Sequence, residues 1–338
     1  MTKTEDINYT KKDFVSDQEV KWCPGCGDYA ILSAIQSAMS KMGRKREDVV
    51  CVSGIGCSSR FPYYLNTYGY HTIHGRATAV ASGVKTANPN LSVWVITGDG
   101  DSLAIGGNHF IHAIRRNVDM NIILFNNQIY GLTKGQYSPT SHKGQITKST
   151  PYGSLDRPFS PVKLAFGASA TFIARTADTN PKQIEEIMLE AEAHRGTSFV
   201  EVYQNCVIFN DGCHSEYSDK KTKDEHSIIL KQGEPLLFGE EVKKGIIFED
   251  FTLKVVEIGE SYKPSDCLVH DKTNELLASL LVAMDTDPNM PKLYGVLYAV
   301  EDVIYNEQVS AQVADVISKQ GKGDFYKLLN SGETWQVK

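Results

Sequence analysis

The sequence has no apolar run approaching the roughly 20 residues that a membrane-spanning helix needs, and its opening, MTKTEDINYTKKDF, has no apolar core of the kind a secretory leader carries. A cytoplasmic location is the expectation. There is no basic block either. Lys and Arg number 35 against 41 Asp and Glu, a formal net charge of -6, and the cations are scattered, which excludes nucleic acid as the main partner. Cysteine is scarce and odd in number, seven in 338 residues, and in a reducing compartment such cysteines more often hold a metal or do redox chemistry than form a disulfide framework. No internal repeat or low-complexity tract is found. No G-x-G-x-x-G follows the first apolar strand, which excludes the dinucleotide-binding fingerprint.

What the chain does have is 41% hydrophobic residues, enough for a sizeable core in one large domain or two. Residues 28–43, DYAILSAIQSAMSKMG, set Ile31, Ile35, Ala38 and Met42 on one helical face, with Asp28 as N-cap and Gly43 as stop. Short, nearly continuous apolar runs at 49–53, 91–97, 121–127, 170–176 and 198–204 read as buried parallel strands. Helix-like stretches at 75–87, 105–117 and 181–194 alternate with them. This rhythm predicts an α/β fold, a doubly wound, mostly parallel sheet with its ligands at the carboxyl ends of the strands. Residues 128–160 form a long polar loop, and loops of that length in compact domains are usually functional or mobile. Beyond residue 220 the rhythm is lost, apart from a helical NELLASLLVAM at 274–284. The expected division is a main domain at 12–220 and an extension at 221–338 that packs on the main domain or on a partner.

Two motifs carry chemistry. In KWCPGCGDY, Cys23 and Cys26 form a C-x-x-C pair of the kind that binds zinc, binds an iron–sulfur cluster or exchanges disulfides. In VITGDGDSLAIGG, Gly98 and Gly100 permit close backbone approach, and Asp99 offers a hard oxygen at the start of a helix-like segment. The next strand ends at Asn126 and Asn127, and one βαβ unit brings that end beside Asp99, so Asp99 and Asn127 can share an ion. Mg²⁺, which takes few ligands from protein and the rest from phosphate and water, suits the pair. Cys57 follows the first strand and Cys206 the last clear one, and four such thiolates can surround a 4Fe-4S cube. Cys213 is a rival for the fourth position, whereas Cys51 and Cys267 read as small buried hydrophobes. Arg60 and Lys134 are cations near these motifs, and an Arg fork or a Lys point charge grips a carboxylate.

The GDGD and FNNQIYG pair resembles the diphosphate-binding motif of thiamine diphosphate enzymes. That resemblance implies a magnesium ion held by the side chains of Asp99 and Asn127 and the carbonyl of Ile129, in the thiamine diphosphate-binding fold. With WCPGCGDY, GIGCSSRFPYY, HTIHGRA and YQNCVIFND, the likeness extends over roughly residues 12–215 to the β subunits of 2-oxoacid:ferredoxin oxidoreductases, and most closely to the 2-oxoglutarate branch in its longer form. It implies cluster ligation by Cys23, Cys26, Cys57 and Cys206. It also implies a cofactor site built from Cys57, Ser58, His74, Gly75, Gly98, Asp99, Gly100, Asp101, Asn127, Ile129, Tyr130, Gly131 and Leu132. The implied reaction is oxidative decarboxylation of 2-oxoglutarate with coenzyme A, yielding succinyl-CoA and CO2 and reducing ferredoxin. Arg60 and Lys134 would hold the dicarboxylate and His74 would face the cofactor. An α subunit, in an αβ or (αβ)2 assembly, would supply the glutamate that activates the aminopyrimidine. The alternatives are pyruvate or another 2-oxoacid as substrate, a non-oxidative thiamine diphosphate decarboxylase, and a zinc-stabilised interaction module.

Overall fold

A computed structural model describes residues 8–337. The first seven residues of the opening stretch lie outside the described residues. The core is an eight-stranded sheet. Its strands are β1 (Val49–Ser53), β2 (Tyr68–His71), β3 (Ser92–Gly98), β4 (Met120–Asn126), β5 (Phe172–Ala177), β6 (Thr197–Tyr203), β7 (Ser227–Ile229) and β8 (Lys292–Ala299), in the order β2-β1-β3-β4-β6-β5-β8-β7. All neighbours pair in parallel except β8 with β5. The expected doubly wound sheet is therefore present, with each apolar run placed within two residues of its strand.

Both faces are covered, and β4 shows why its sequence is apolar throughout. Successive side chains of a strand point to opposite faces, so Ile122 and Leu124 enter one core and Ile123 and Phe125 the other. Helices Ala77–Ala87, Gly107–Arg115 and Glu275–Met284 close the first face, and Asp28–Lys41 with Pro181–Ala193 the second. Gly27, not Asp28, occupies the N-cap of the helix Asp28–Lys41. Asp28 is the first helical residue, and its side chain is turned inward and buried. Among the described residues no helix is long and apolar enough to cross a membrane.

The segment beyond residue 220 contributes β7 and β8 to the main sheet, besides a separate three-stranded sheet at 237–257. β8 escapes a reading by periodicity because Gly295, at φ +107, interrupts it and the pairing with β5 shifts register between Val296 and Tyr298. A buried ionic chain ties this segment to the domain. Arg175 of β5, 1% exposed, donates from Nε to Glu201 of β6 at 2.7 Å. Its Nη2 lies 2.7 Å from Asp285 Oδ1, within ion-pair range though off the line of a hydrogen bond. Lys292 and Ser160 hold Asp285 in turn. Burial opposes ionisation of Asp285, but Arg175 and Lys292 outweigh it and hold the carboxyl down at about 2.

Removing one member of a buried ion pair leaves the other charge uncompensated. Asp285→Ala is expected to cost about 3–5 kcal/mol in urea unfolding. A loss below about 1 kcal/mol would mean that Glu201 alone satisfies Arg175.

Candidate active site

Two cavities adjoin at the carboxyl ends of β1, β3, β4 and β6. The first, about 210 Å³, is lined by Ser58, His74, Gly98–Asp101, Asn127 and Ile129–Thr133 among others. The second, about 230 Å³, is lined by Cys23, Cys26, Cys57 and Cys206 together with Arg60 and Lys134. Cys57, Asn127, Gly131 and Leu132 border both.

The first cavity is shaped by the GDGD turn. Gly100 packs beneath the Tyr130 ring, where an added Cβ would lie 2.2 Å from a ring carbon, and Tyr130 Oη donates to the Gly100 carbonyl at 3.1 Å. Gly75, at φ +64, does not line the cavity; it packs against Gly106 behind the wall. Asp101 borders the cavity, but its carboxylate joins loops: it accepts from Gly75 N at 2.7 Å, Ile55 N at 3.1 Å and Thr97 Oγ1 at 2.9 Å. Asp99 is 2% exposed, and burial pushes its carboxyl up to about 6 although Ser138 and Thr140 donate to Oδ2. Asn127 offers Oδ1 toward Ile129 N at 3.2 Å and donates from Nδ2 to Gln204 at 2.8 Å. Gln128, at φ +56, makes the turn that carries the chain from Asn127 to Ile129.

Sequence reasoning missed Ser138, Thr140 and Gln204. Residues 128–160 fold back so that two hydroxyls of the SPTS stretch reach Asp99. The only sequence signal was a hydroxyl cluster inside an otherwise polar loop. Gln204 is the last residue of the apolar run at 198–204, a place where β-strand ends gather ligands.

In the second cavity the four thiols share a space but do not converge on a point. Among the described residues, no three His, Cys, Asp or Glu side chains are close enough to hold one ion. Burial raises the thiols of Cys26 and Cys57, the latter to about 12, which favours their protonated form. Cys213 does not line this cavity; its Sγ lies 3.6 Å from the Asn127 carbonyl. Cys51 and Cys267 are buried away from it. Arg60 and Lys134 border the cysteines and not the first cavity; Arg60 Nε donates to Tyr64 Oη at 3.1 Å. His74 lies on the rim of the first cavity and is exposed.

Fold and cavities together define a thiamine diphosphate-binding enzyme domain, and the family described as the C-terminal TPP-binding domain of thiamine pyrophosphate enzymes matches residues 54–202. A 2-oxoglutarate oxidoreductase subunit KorB from Mycobacterium tuberculosis is 46% identical over 338 residues, which is 99% of this chain and 90% of that one. A 2-oxoacid:ferredoxin oxidoreductase subunit beta from Saccharolobus solfataricus is 46% identical over 59% of this chain and 66% of its own. The solved 2-oxoglutarate:ferredoxin oxidoreductase from Magnetococcus marinus, with 2-oxoglutarate, coenzyme A and succinyl-CoA bound, superposes with a TM-score of 0.77 at 31% identity and 97% coverage of both chains. The chain belongs to the family of 2-oxoacid:ferredoxin oxidoreductase β subunits.

Behind the Asn126–Ile129 turn, His214 stacks on Tyr203 with ring centroids 4.0 Å apart and donates from Nε2 to the Asn126 carbonyl at 2.8 Å. Burial drives its pKa down to about 3. The unfolded chain therefore binds a proton that the folded one refuses. The folded state is stable above about pH 6.5 and loses that stability as pH falls toward 3. His214→Gln, which keeps a donor and removes the titration, is expected to lose about 2 kcal/mol less than the parent between pH 7 and pH 5 in urea unfolding. Equal losses in both would show that another group governs the acid limb.

Proposed function

We propose that this chain is the cofactor-bearing subunit of an enzyme that converts 2-oxoglutarate, coenzyme A and two oxidised ferredoxins to succinyl-CoA, CO2, two reduced ferredoxins and a proton. The observation that carries this reading is the shared wall of the two cavities: a thiamine site alone serves any 2-oxoacid decarboxylase, but one that adjoins a cavity lined by four thiols has beside it the ligands for an electron-accepting cluster.

Thiamine diphosphate, when bound, supplies the carbon that attacks the keto group and accepts the charge left as CO2 departs. The donor set fits its diphosphate and a magnesium ion. Asp99 gives a carboxylate whose raised pKa a cation would lower, Asn127 an amide oxygen and Ile129 a carbonyl, few enough to leave positions for phosphate and water. Gly98, Gly100 and Tyr130 shape the turn on which these ligands stand, and Ser58, Gly131 and Leu132 form the facing wall. Cys23, Cys26, Cys57 and Cys206 fit a 4Fe-4S cluster. Thiols spread around a volume suit a cube better than a single zinc ion. Arg60 and Lys134, on the cysteine side of the common wall, are the cations that would hold the substrate's two carboxylates. His74 on the rim would donate a hydrogen bond. The α subunit that the family's β subunits imply would close the first cavity and bring the activating glutamate.

The test is anaerobic reduction of ferredoxin by this chain co-produced with its α partner, with coenzyme A and either 2-oxoglutarate or pyruvate. A marked preference for 2-oxoglutarate is expected, and preference for pyruvate would overturn the substrate assignment. Arg60→Ala and Lys134→Ala are each expected to raise KM for 2-oxoglutarate by about tenfold or more, the scale of a lost charge-assisted contact. Cys206→Ala is expected to remove the visible iron–sulfur absorption and ferredoxin reduction while thiamine diphosphate still binds. Retention of full iron would shift the fourth ligand away from Cys206.

A further inference from the structure

Gln204 is 1% exposed, and its side-chain amide stands between the two cofactor sites. Nε2 lies 3.3 Å from Cys26 Sγ and 2.6 Å from the Asn205 carbonyl, while Oε1 accepts from Asn127 Nδ2 at 2.8 Å. An amide has two N–H donors and one carbonyl, so both donors and the acceptor are engaged and the orientation is set. A flipped amide would face nitrogen to the Asn127 nitrogen and oxygen to the Asn205 oxygen. With its nitrogen committed to Gln204, Asn127 presents its oxygen on the side of Ile129, a residue that lines the first cavity.

We propose that Gln204 is a positioning residue for both sites at once: its N–H to Cys26 Sγ tunes the potential of the cluster, and its carbonyl holds the Asn127 oxygen toward the metal-bridged diphosphate. This rests on the site reading given under Proposed function. Hydrogen bonds to cluster sulfurs stabilise the more negative, reduced state, so losing a donor makes the potential more negative. Partners that orient a metal ligand change affinity by about 10- to 100-fold when lost.

The experiment uses the complex of this chain with its α subunit, prepared anaerobically, and has two readouts besides turnover: the cluster midpoint potential by EPR-monitored redox titration, and the Kd for thiamine diphosphate with Mg²⁺ by calorimetry on cofactor-depleted complex. Gln204→Met removes donors and acceptor alike, and is expected to shift the potential negatively and weaken thiamine diphosphate about tenfold. Gln204→Glu keeps an oxygen toward Asn127 but lacks the amide's two donors, and is expected to shift the potential in the same sense with a Kd within about twofold of the parent. A purely structural role would not separate the two readouts. An unchanged potential in both variants, or equal loss of thiamine diphosphate in both, would overturn the proposal. If Gln204→Met assembles without iron, Gln204→Glu decides by the same criteria. Asp99→Asn and Cys26→Ala test the underlying reading: if Asp99→Asn binds thiamine diphosphate normally or Cys26→Ala keeps its full iron, the site assignment itself has failed. If both lose their cofactor while the Gln204 variants match the parent, only the role of Gln204 is refuted.

Discussion

The carboxylate of Asp101 is the joint on which the site hangs. Two loops and a strand end donate to it: the Ile55 amide after β1, the Gly75 amide after β2 and the Thr97 hydroxyl at the end of β3. Parallel strands bring their carboxyl ends to one edge, but nothing in strand pairing makes the loops beyond them agree in position. A buried acceptor with several donors does so, since each unmade bond would leave a polar group without a partner. Gly54 and Gly75 belong to the same joint. A Cβ on Gly54 would fall 1.8 Å from Asp101 Oδ2, and one on Gly75 would strike Gly106.

From this joint the chemistry divides into two adjoining sites with different needs. One presents hard oxygen donors on the Asp99 turn and the Asn126–Ile129 turn, braced by hydroxyls from residues 138–141. The other gathers four thiols from distant points of the chain into one cavity. Cys23 and Cys26 come from a loop before the first helix, Cys57 from the end of β1 and Cys206 from beyond β6. Trp22 fastens the first loop to the third of these cysteines by donating from Nε1 to the Cys57 carbonyl at 2.7 Å. The segment beyond residue 220 reaches the end of β4 through buried charges. Its Asp285 meets Arg175, Arg175 meets Glu201, and Glu201 accepts from Asn126 Nδ2 at 2.7 Å, one residue before Asn127.

Much of this was legible in the residues. Five apolar runs marked five strands because a strand buried on both faces has no polar side to hide, as β4 illustrates. Asp99 and Asn127 were legible because their spacing equals one βαβ unit, a local property of the chain. β2 was not legible: Tyr68–His71 is an edge strand with an exposed face, and it lacks the apolar run that gave the others away. β8 was hidden by Gly295 and its register shift. Ser138, Thr140 and Gln204 were hidden for a different reason. Their roles depend on which atom faces which across 39, 41 and 178 residues of chain, and no periodicity encodes that.

The linear chain therefore settles the chemistry available: soft thiols in a C-x-x-C loop and two strand ends, hard oxygens on two turns, and a parallel sheet to carry them. These are choices of residue type and local spacing. Tertiary structure alone decides adjacency. It puts the cysteine cavity against the cavity of the GDGD turn with Cys57, Asn127, Gly131 and Leu132 in common, sets Arg60 and Lys134 on the cysteine side, and lets one amide touch residues of both. The reason is geometric. Contacts between sites come from the packing of loops that strand order brings together, and loop packing is fixed by buried hydrogen bonds made over long separations in the chain.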